Sequence, residues 1–413
     1  MRGFVSRFRR HFIVFLAVLG PGFITAMVDN DSGGIYTYSD AGAHWGYLPL
    51  WTLLPITLAL IVSQEMCSRM GAITGKGLSD LIREEFGLRI TFGIMALLVV
   101  ANLTNVMAEF AGVATSLDLF GVSKFISVPI VAVFVWFLAV KGNYNRVEKI
   151  FLVACSIFVV YIIAGILIKP DWKQAMIYSV KPKLILDKDY ITMLIAMVGT
   201  TIAPWMQFYQ QSAVVEKGIT AKEYPESRIE VIVGCIMTSV IAFFIIVACA
   251  GAYRDHPMEI ESAKDAALAL KPFGQYAFLL FSAGLLNASV FAACILPLST
   301  AYSVCEGLGF ESGIDRRFGQ AKIFYGLYTA LIVCGAGFVL FPGLPLLKVI
   351  LISQVANGIL LPFVLVFMLI LINRKRLMGD FSNGFWGNLI AGGTSVIMVL
   401  LTIALIWNSI TGA

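Results

Sequence analysis

Eleven apolar segments of membrane-spanning length recur along this 413-residue chain, and they constrain its fold more than any other feature. They run at about 12–42, 47–68, 91–118, 125–140, 148–168, 190–215, 229–252, 274–305, 321–341, 344–372 and 385–408. Roughly 20 apolar residues suffice for a helix to cross the hydrocarbon core. With 59% hydrophobic residues and a mean hydropathy of +0.86, the chain holds more apolar surface than a soluble domain could bury. The segments therefore predict an all-α polytopic membrane protein.

Lysine and arginine are distributed unevenly among the connections, which predicts the orientation of the chain. If there are eleven spans, 20 of the 30 basic residues lie on one side. That side carries the N-terminus and the 2–3, 4–5, 6–7, 8–9 and 10–11 connections. We therefore expect a cytoplasmic N-terminus and an extracellular C-terminus in the plasma membrane. The first apolar segment has no small-residue cleavage site after it, so a cleaved signal peptide is not expected.

The first apolar segment is interrupted by the polar run Asp29-Asn30-Asp31-Ser32-Gly33-Gly34. A bare carboxylate inside a bilayer is costly, so it requires a partner, a proton or a cation. We expect Gly33 and Gly34 to give the backbone the freedom to end the helix there. Carbonyl groups freed at such a break can bind a metal ion. A loop after a short helix is the simpler alternative, and it is disfavoured because a second break follows in the chain.

The sixth apolar segment is interrupted at Ile202-Ala203-Pro204. Five spans separate the two breaks, and because five is odd the second half must be inverted relative to the first. This predicts a five-helix repeat over 1–170, an inverted repeat over 171–373 and an eleventh helix over 374–413. Paired broken helices in inverted halves indicate a binding site near the bilayer midplane. The alternative, a simple kink at Pro204, would leave the first break unexplained.

The groups at the two breaks are mostly oxygen donors. Asp31 is the expected main ligand because it adjoins the predicted unwinding, and Asp29 is either a second attractor for cations or a solvated neighbour. Thr200 and Thr201 precede the second break, so their carbonyls should lose their helical partners. Carboxylate and carbonyl oxygens suit Mg²⁺, Mn²⁺ or Na⁺. Ala203 contributes no side-chain donor.

Further polar side chains lie inside otherwise apolar segments. Glu109 could form part of the site wall, or it could pair with Asn102 or Asn105 in the same segment. Gln354 and Asn357 lie three residues apart on the tenth segment. They could line the same cavity or form hydrogen bonds between helices.

Other residues argue against rival chemistries. The seven cysteines form no CxxC pair or Cys/His cluster, so neither a disulfide framework nor a zinc site is expected. No histidine lies in the middle of a segment, so the usual proton carrier near neutral pH is missing. Glu65 is expected to form a structural ion pair with Arg69, and Glu306 with Arg316 and Arg317. No nucleophile–base constellation is found, so an enzyme is not expected.

Motifs along most of the chain resemble those of one transporter family. They are Gly20-Pro21-Gly22-Phe23, Asp31-Ser32-Gly33-Gly34, Ala41-Gly42-Ala43, Thr74-Gly75-Lys76, Ala108-Glu109, Gly199 through Gln211, Ser353-Gln354-Val355 and Leu361-Pro362-Phe363. In residue type and spacing they are similar to the NRAMP divalent-metal transporters. The resemblance implies a LeuT-like fold: an inverted 5+5 helix repeat with helices 1 and 6 broken, plus an eleventh span.

The chain departs from this family at the positions that bind metal. The family's Asp-Pro-Gly-Asn motif reads Asp31-Ser32-Gly33-Gly34 here, so Gly34 replaces an asparagine ligand. Its Met-Pro-His motif reads Ala203-Pro204-Trp205, so a methyl group replaces the thioether and an indole the histidine. A second histidine is replaced by Gln210, and an aspartate on the third span by Val106. The pattern is similar to the NRAMP-related magnesium transporter branch.

These substitutions predict an alternating-access importer for Mg²⁺, and also Mn²⁺, that is not coupled to protons. The loss of sulfur removes selection for softer metals, and a roomier oxygen site suits a partly hydrated Mg²⁺. The expected metal-site positions are Asp31, Thr200, Gly34, Ala203, Gln354, Glu109 and Asp29. We expect a monomer in the lipid bilayer, with no cofactor and no nucleic-acid partner. The alternatives are a proton-coupled Mn²⁺ or Fe²⁺ importer and an amino-acid carrier of the same architecture; two acids beside the break disfavour an anionic substrate.

Overall fold

The computed structural model describes residues 21–141, 155–311, 313 and 319–411, and in these residues the regular structure is helical. The α-helices are α1 Pro21–Val28, α2 Ser32–Trp45, α3 Leu53–Thr74, α4 Leu78–Phe86, α5 Leu88–Asp118, α6 Lys124–Lys141, α7 Val159–Leu167, α8 Trp172–Val180, α9 Lys188–Thr201, α10 Pro204–Glu216, α11 Tyr224–Ala252, α12 Ala263–Ala267, α13 Ala277–Leu308, α14 Lys322–Val339, α15 Leu346–Ile372, α16 Lys375–Met378 and α17 Phe385–Thr411. Short 3₁₀ turns lie at Leu48–Thr52, Cys155–Phe158, Leu268–Tyr276 and Gly379–Phe381.

The helices reproduce the eleven expected spans. In the described part of the chain, eight helical stretches are long and apolar enough to cross a membrane by themselves. The other three expected spans are the first, which is divided into α1 and α2, and the shorter apolar helices Lys124–Leu138 and Ser156–Leu167. Residues 12–20 of the first span and 148–154 of the fifth lie outside the described residues.

Local sequence signals fix several helix ends. The Asp187 carboxylate caps α9 by accepting hydrogen bonds from the N–H groups of Asp189 and Tyr190. Gly75 and Gly309 end α3 and α13 with φ of 64° and 77°, the left-handed conformation that glycine adopts without a Cβ clash. These ends set the lengths of the helices that surround the two broken ones.

The broken helices lie in the centre of the bundle. α1 and α2 pack against α11, and α9 packs against α2 and α15. α10 lies between α3 and α13, while α5 packs along α13 and α15. The two breaks, between α1 and α2 and between α9 and α10, are therefore enclosed by long helices rather than by lipid.

At one end of the bundle, ion pairs join the 2–3 and 10–11 connections. Glu85 on α4 has 2% of its side chain exposed and pairs with Arg374, at 2.7 Å, and with Arg376. Arg69 pairs with Glu65 at 3.0 Å, as expected. It also donates a hydrogen bond to the Phe381 carbonyl in the 10–11 connection. Both connections lie at the same end, as the eleven-span topology requires. Glu306 was expected to pair with Arg316 and Arg317, and these two arginines lie outside the described residues.

Candidate cation site

The first break spans Asp29 to Asp31, and α2 resumes at Ser32. Asp31 is the N-cap of α2: its Oδ1 accepts a hydrogen bond from the Gly34 N–H at 2.8 Å. Its carbonyl accepts the Ile35 N–H at 3.0 Å, which is the first regular bond of the helix. A capping aspartate in extended conformation satisfies one of the free N–H groups at a helix start. The polarity of residues 29–31 thus ends one helix and starts the next.

The prediction that Gly33 and Gly34 end the helix is wrong, because both lie inside the first turn of α2. Both glycines instead allow neighbouring groups to come close to the backbone of α2. A Cβ on Gly33 would lie 2.1 Å from Gln354 Nε2, and a Cβ on Gly34 would lie 2.6 Å from the Asp29 carbonyl oxygen. The same point at Gly34 is 3.7 Å from Thr200 Oγ1. The missing side chain of Gly34 therefore lets the Asp29 carbonyl approach α2 closely, with the Thr200 hydroxyl of the second broken helix nearby.

The second break follows from Pro204. α9 ends at Thr201 and α10 begins at Pro204, with Ala203 in extended conformation between them. In a continuous helix the Thr200 carbonyl would accept the N–H of residue 204, and proline has none. The Thr200 hydroxyl is buried and has no hydrogen-bond partner among the described residues. Thr200 thus presents this hydroxyl at the break, and Pro204 cannot donate the regular helical bond to its carbonyl.

Thr201 and Ala203 are less available than Thr200. The Thr201 hydroxyl bonds to the Met197 carbonyl at 2.6 Å and to the Tyr38 hydroxyl at 2.5 Å. The Ala203 carbonyl already accepts from the Met206 N–H at 3.1 Å and from the Gln207 side chain at 3.3 Å. Ala203 therefore shapes the site through its small methyl group rather than by donating an oxygen.

Glu109 reaches the first break from α5. Its Oε2 accepts the Ser32 N–H at 3.3 Å, and its Oε1 has no hydrogen-bond partner among the described residues. The alternative of pairing with Asn102 or Asn105 is wrong, because both asparagines bond to other helices. An acid at the start of a helix is favoured by the helix dipole. Glu109 is thus part of the wall around Asp31.

Gln354 and Asn357 have different roles, although the sequence analysis gave both of them the same two possibilities, cavity lining or hydrogen bonding between helices. Gln354 lies against Gly33, and the distances from the Gly33 position place its Nε2 within about 5 Å of Asp31 Oδ1. Asn357 forms hydrogen bonds with Asn105 on α5. The first residue lines the site, and the second joins two helices.

Asp29 is 2% exposed, and neither of its carboxylate oxygens has a hydrogen-bond partner. The interpretation of Asp29 as a solvated neighbour is therefore wrong. Its neighbour Asn30 donates to Thr238 on α11 at 2.6 Å, which anchors the break to the bundle. Asp29 and Asp31 lie close enough to interact through their charges. Two buried carboxylates in one short segment favour a cation between or beside them.

A cavity of about 710 Å³ lies among the 3–4, 7–8 and 9–10 connections. Its polar lining includes Asp118, Glu259, Glu261, Lys124 and Lys348, and it reaches Tyr36, five residues after Asp31. The Tyr36 hydroxyl donates to the Ile260 carbonyl at 3.0 Å. The 3–4, 7–8 and 9–10 connections therefore form a shared vestibule, as the alternating topology requires.

Sequence reasoning missed some polar contacts that position the site, such as Asn30 with Thr238 and Ser32 with Glu109. These residues are recognisable in the sequence as polar residues within apolar segments. The two members of each contact are far apart in the chain, so the pairing itself could not be predicted. Among the described residues, no group of three or more His, Cys, Asp or Glu side chains is arranged to hold a metal ion. A cation at the breaks would therefore rely on hydroxyl, carbonyl and water oxygens besides the carboxylates.

Two helices broken at the centre of an enclosing bundle, with unpaired oxygens at both breaks, define a membrane transporter with a LeuT-like fold. A model of the family "Natural resistance-associated macrophage protein-like" (Nramp) matches residues 22–408. The chain belongs to this Nramp family, a family of membrane transporters, and it is not an enzyme.

Relatives and solved structures agree over nearly the full chain. "Divalent metal cation transporter MntH" of Burkholderia ambifaria is 25% identical over 407 residues, covering 95% of this chain and 89% of the relative. The protein of the same name from Bacillus subtilis is 24% identical, covering 96% and 93%. The Eremococcus coleocola manganese transporter superposes with a TM-score of 0.76 at 21% identity, covering 95% of this chain and 86% of that one. A nucleobase-cation-symport-1 family transporter superposes with a TM-score of 0.58 at 14% identity, covering 95% and 93%.

Proposed function

We propose that this chain is an alternating-access carrier that imports divalent metal cations, with Mg²⁺ as its main substrate and Mn²⁺ as a second. The observation that carries the proposal is the approach of two oxygens from the two broken helices to Gly34: the Asp29 carbonyl and the buried Thr200 hydroxyl, which has no partner among the described residues. Asp31 supplies the charged ligand and Thr200 an uncharged oxygen. Glu109 and Gln354 border the ion or its water shell, and Asp29 adds a second buried negative charge.

The donor set favours a hard cation. The groups around the breaks are carboxylate, hydroxyl and carbonyl oxygens, and Ala203 offers neither sulfur nor nitrogen at the second break. Softer ligands would select for transition metals. No group of three or more His, Cys, Asp or Glu side chains in the described residues is arranged to hold a metal ion, so water is expected to complete the coordination shell. Mg²⁺ dehydrates reluctantly and usually retains several waters, so it suits this site best.

The membrane potential supplies a driving force without a coupled ion. A divalent cation moving inward gains about 4.6 kcal/mol per 100 mV, twice the figure for one charge. The vestibule at the Tyr36 end would admit the ion, and its three acidic residues would attract cations. We also propose that this end faces outward, that the N-terminus is cytoplasmic, and that the protein works as a monomer built from the repeats 1–170 and 171–373 with the eleventh helix 374–413.

A second candidate is a proton-coupled manganese importer. It is supported by the names of the relatives and by two buried carboxyl groups, of Asp31 and Glu109, that both accept N–H groups from the first turn of α2. A proton held by one of these groups and released when a cation binds would provide a means of coupling.

Transport in sealed vesicles separates the two candidates. The purified wild-type protein is placed in liposomes that contain one dye for Mg²⁺ and one for pH, with an inside-negative potential. We expect saturable Mg²⁺ uptake that grows with the potential and leaves the internal pH unchanged. Uptake of Mn²⁺ with acidification and without Mg²⁺ uptake would favour the second candidate and refute the first.

A further inference from the structure

A pair of buried asparagines joins α5 to α15 directly behind Gln354. Asn105 Nδ2 donates to Asn357 Oδ1 at 2.9 Å, and Asn357 Nδ2 donates to Asn105 Oδ1 at 2.9 Å. The residues are 2% and 1% exposed. Two reciprocal hydrogen bonds between buried amides hold the two side chains in register, because turning one amide alone would place like atoms together.

Asn357 also holds one end of the Gln354 amide. Asn357 Nδ2 donates to Gln354 Oε1 at 3.1 Å. The other end of the amide, Gln354 Nε2, donates to Ser353 Oγ at 2.9 Å. The Ser353 hydroxyl donates its own proton to the Ile350 carbonyl at 2.7 Å, so it can only accept from Gln354. Both ends of the Gln354 side chain are therefore bound in one orientation.

This orientation turns the nitrogen of the amide toward the site. Nε2 is the Gln354 atom nearest to the Gly33 position, on the side of Asp31 Oδ1. An amide NH₂ group is a hydrogen-bond donor and does not coordinate a metal, whereas an amide oxygen is a good ligand for Mg²⁺ or Ca²⁺. The side-chain oxygen that Gln354 could give to a cation is bound by Asn357.

We propose that Asn357 is a positioning residue that determines ion specificity: it holds the Gln354 oxygen away from the site and keeps Gln354 out of the cation's coordination shell. The inference rests on the proposed cation site. An ion at the break then receives one protein oxygen fewer and keeps a water in its place. Retained water favours Mg²⁺ relative to ions that dehydrate more easily, such as Mn²⁺.

Two leucine variants of similar size test this role. Asn357→Leu removes the donor to Gln354 Oε1 and frees the amide to turn. Asn105→Leu breaks the same asparagine pair from the other side but leaves the Asn357–Gln354 bond in place. Kd values for Mn²⁺ and Mg²⁺ are measured by calorimetry on purified protein, together with the KM for uptake of each ion. We expect Asn357→Leu to raise the preference for Mn²⁺ over Mg²⁺ about tenfold, the order that one net hydrogen bond or ligand contributes. Asn105→Leu should leave this ratio unchanged.

The double variant Asn357→Leu/Gln354→Ala identifies the atom responsible. If the freed Gln354 oxygen causes the shift, the double variant has the same Mn²⁺/Mg²⁺ ratio as Gln354→Ala alone. An equal shift in both leucine variants, an unchanged ratio in Asn357→Leu, or a shift that persists without Gln354 would overturn the proposal.

Asn357→Ala provides the second test if Asn357→Leu does not fold. It also removes the donor to Gln354 Oε1, and an unchanged ratio in this variant would likewise overturn the proposal. The wild type distinguishes this inference from the proposed function. Absence of Mg²⁺ uptake by the wild type counts against Mg²⁺ import, whereas the inference depends only on the change in the ratio of Kd values between variants.

Discussion

Replacing Asp31 by asparagine separates its two roles. The carboxylate caps α2 through its bond to the Gly34 N–H at 2.8 Å, and we propose that it is also the main charged ligand. Asparagine caps helices about as well as aspartate, because its Oδ1 accepts the same hydrogen bond. Asp31→Asn thus removes the charge and keeps the cap, whereas Asp31→Ala removes both.

The magnitude follows from the burial of the site. Removing one partner of a buried charge pair costs about 2–5 kcal/mol, and 1.4 kcal/mol corresponds to a factor of ten in affinity. We therefore expect Asp31→Asn to weaken Mg²⁺ binding by about 30-fold to several thousand-fold. Loss of the cap in Asp31→Ala should cost about 1 kcal/mol of stability in addition.

The assay pairs transport with stability. Mg²⁺ uptake into proteoliposomes gives KM and rate, and thermal unfolding in detergent gives the stability of each variant. Asp29→Asn serves as the matched control, since it removes a buried charge two residues away that caps no N–H group. We expect Asp31→Asn to unfold like the wild type while its KM rises far more than that of Asp29→Asn. A wild-type KM in Asp31→Asn would refute the assignment of Asp31 as the main ligand.

Three further substitutions probe the second break. Thr200→Val should leave stability unchanged, because the buried hydroxyl has no partner to lose, while the KM for Mg²⁺ rises up to about tenfold; a KM unaffected by the change would remove this hydroxyl from the site. Ala203→Met introduces a thioether and should raise Cd²⁺ and Mn²⁺ binding relative to Mg²⁺ in calorimetry, and an unaltered order of affinities would contradict the view that softness sets selectivity. Gly199→Ala should reduce the yield of folded protein, because its Cβ would lie 2.0 Å from the Gln354 carbonyl oxygen; a wild-type melting temperature would show that the backbones can separate at little cost.

The sequence predicted the features that depend on local chemistry. Length and hydropathy are sufficient to place membrane helices. The second break was predictable because Pro204 has no N–H to give to the Thr200 carbonyl. The first was predictable because consecutive acidic residues are costly inside an apolar helix. Both breaks lie where these residues predicted them.

The features that depend on partners distant in the chain could not be predicted. Whether Glu109 lines the site or pairs with an asparagine could not be decided in advance, since the choice depends on how α5 is rotated about its axis. Gly33 and Gly34 suggested backbone freedom, whereas their actual role is to admit Gln354 and Thr200. The Asn105–Asn357 pair joins residues 252 positions apart, and such pairings are set by packing alone.

Competition among metals for uptake by the wild-type protein tests the central claim most directly. Mg²⁺ uptake into proteoliposomes is measured with increasing Mn²⁺ and Cd²⁺ outside. A site of hard oxygens, with Ala203 where sulfur would select softer ions, predicts saturable Mg²⁺ uptake that Mn²⁺ inhibits and Cd²⁺ inhibits only weakly. Tight inhibition by Cd²⁺, or Cd²⁺ and Mn²⁺ uptake without Mg²⁺ uptake, would contradict it.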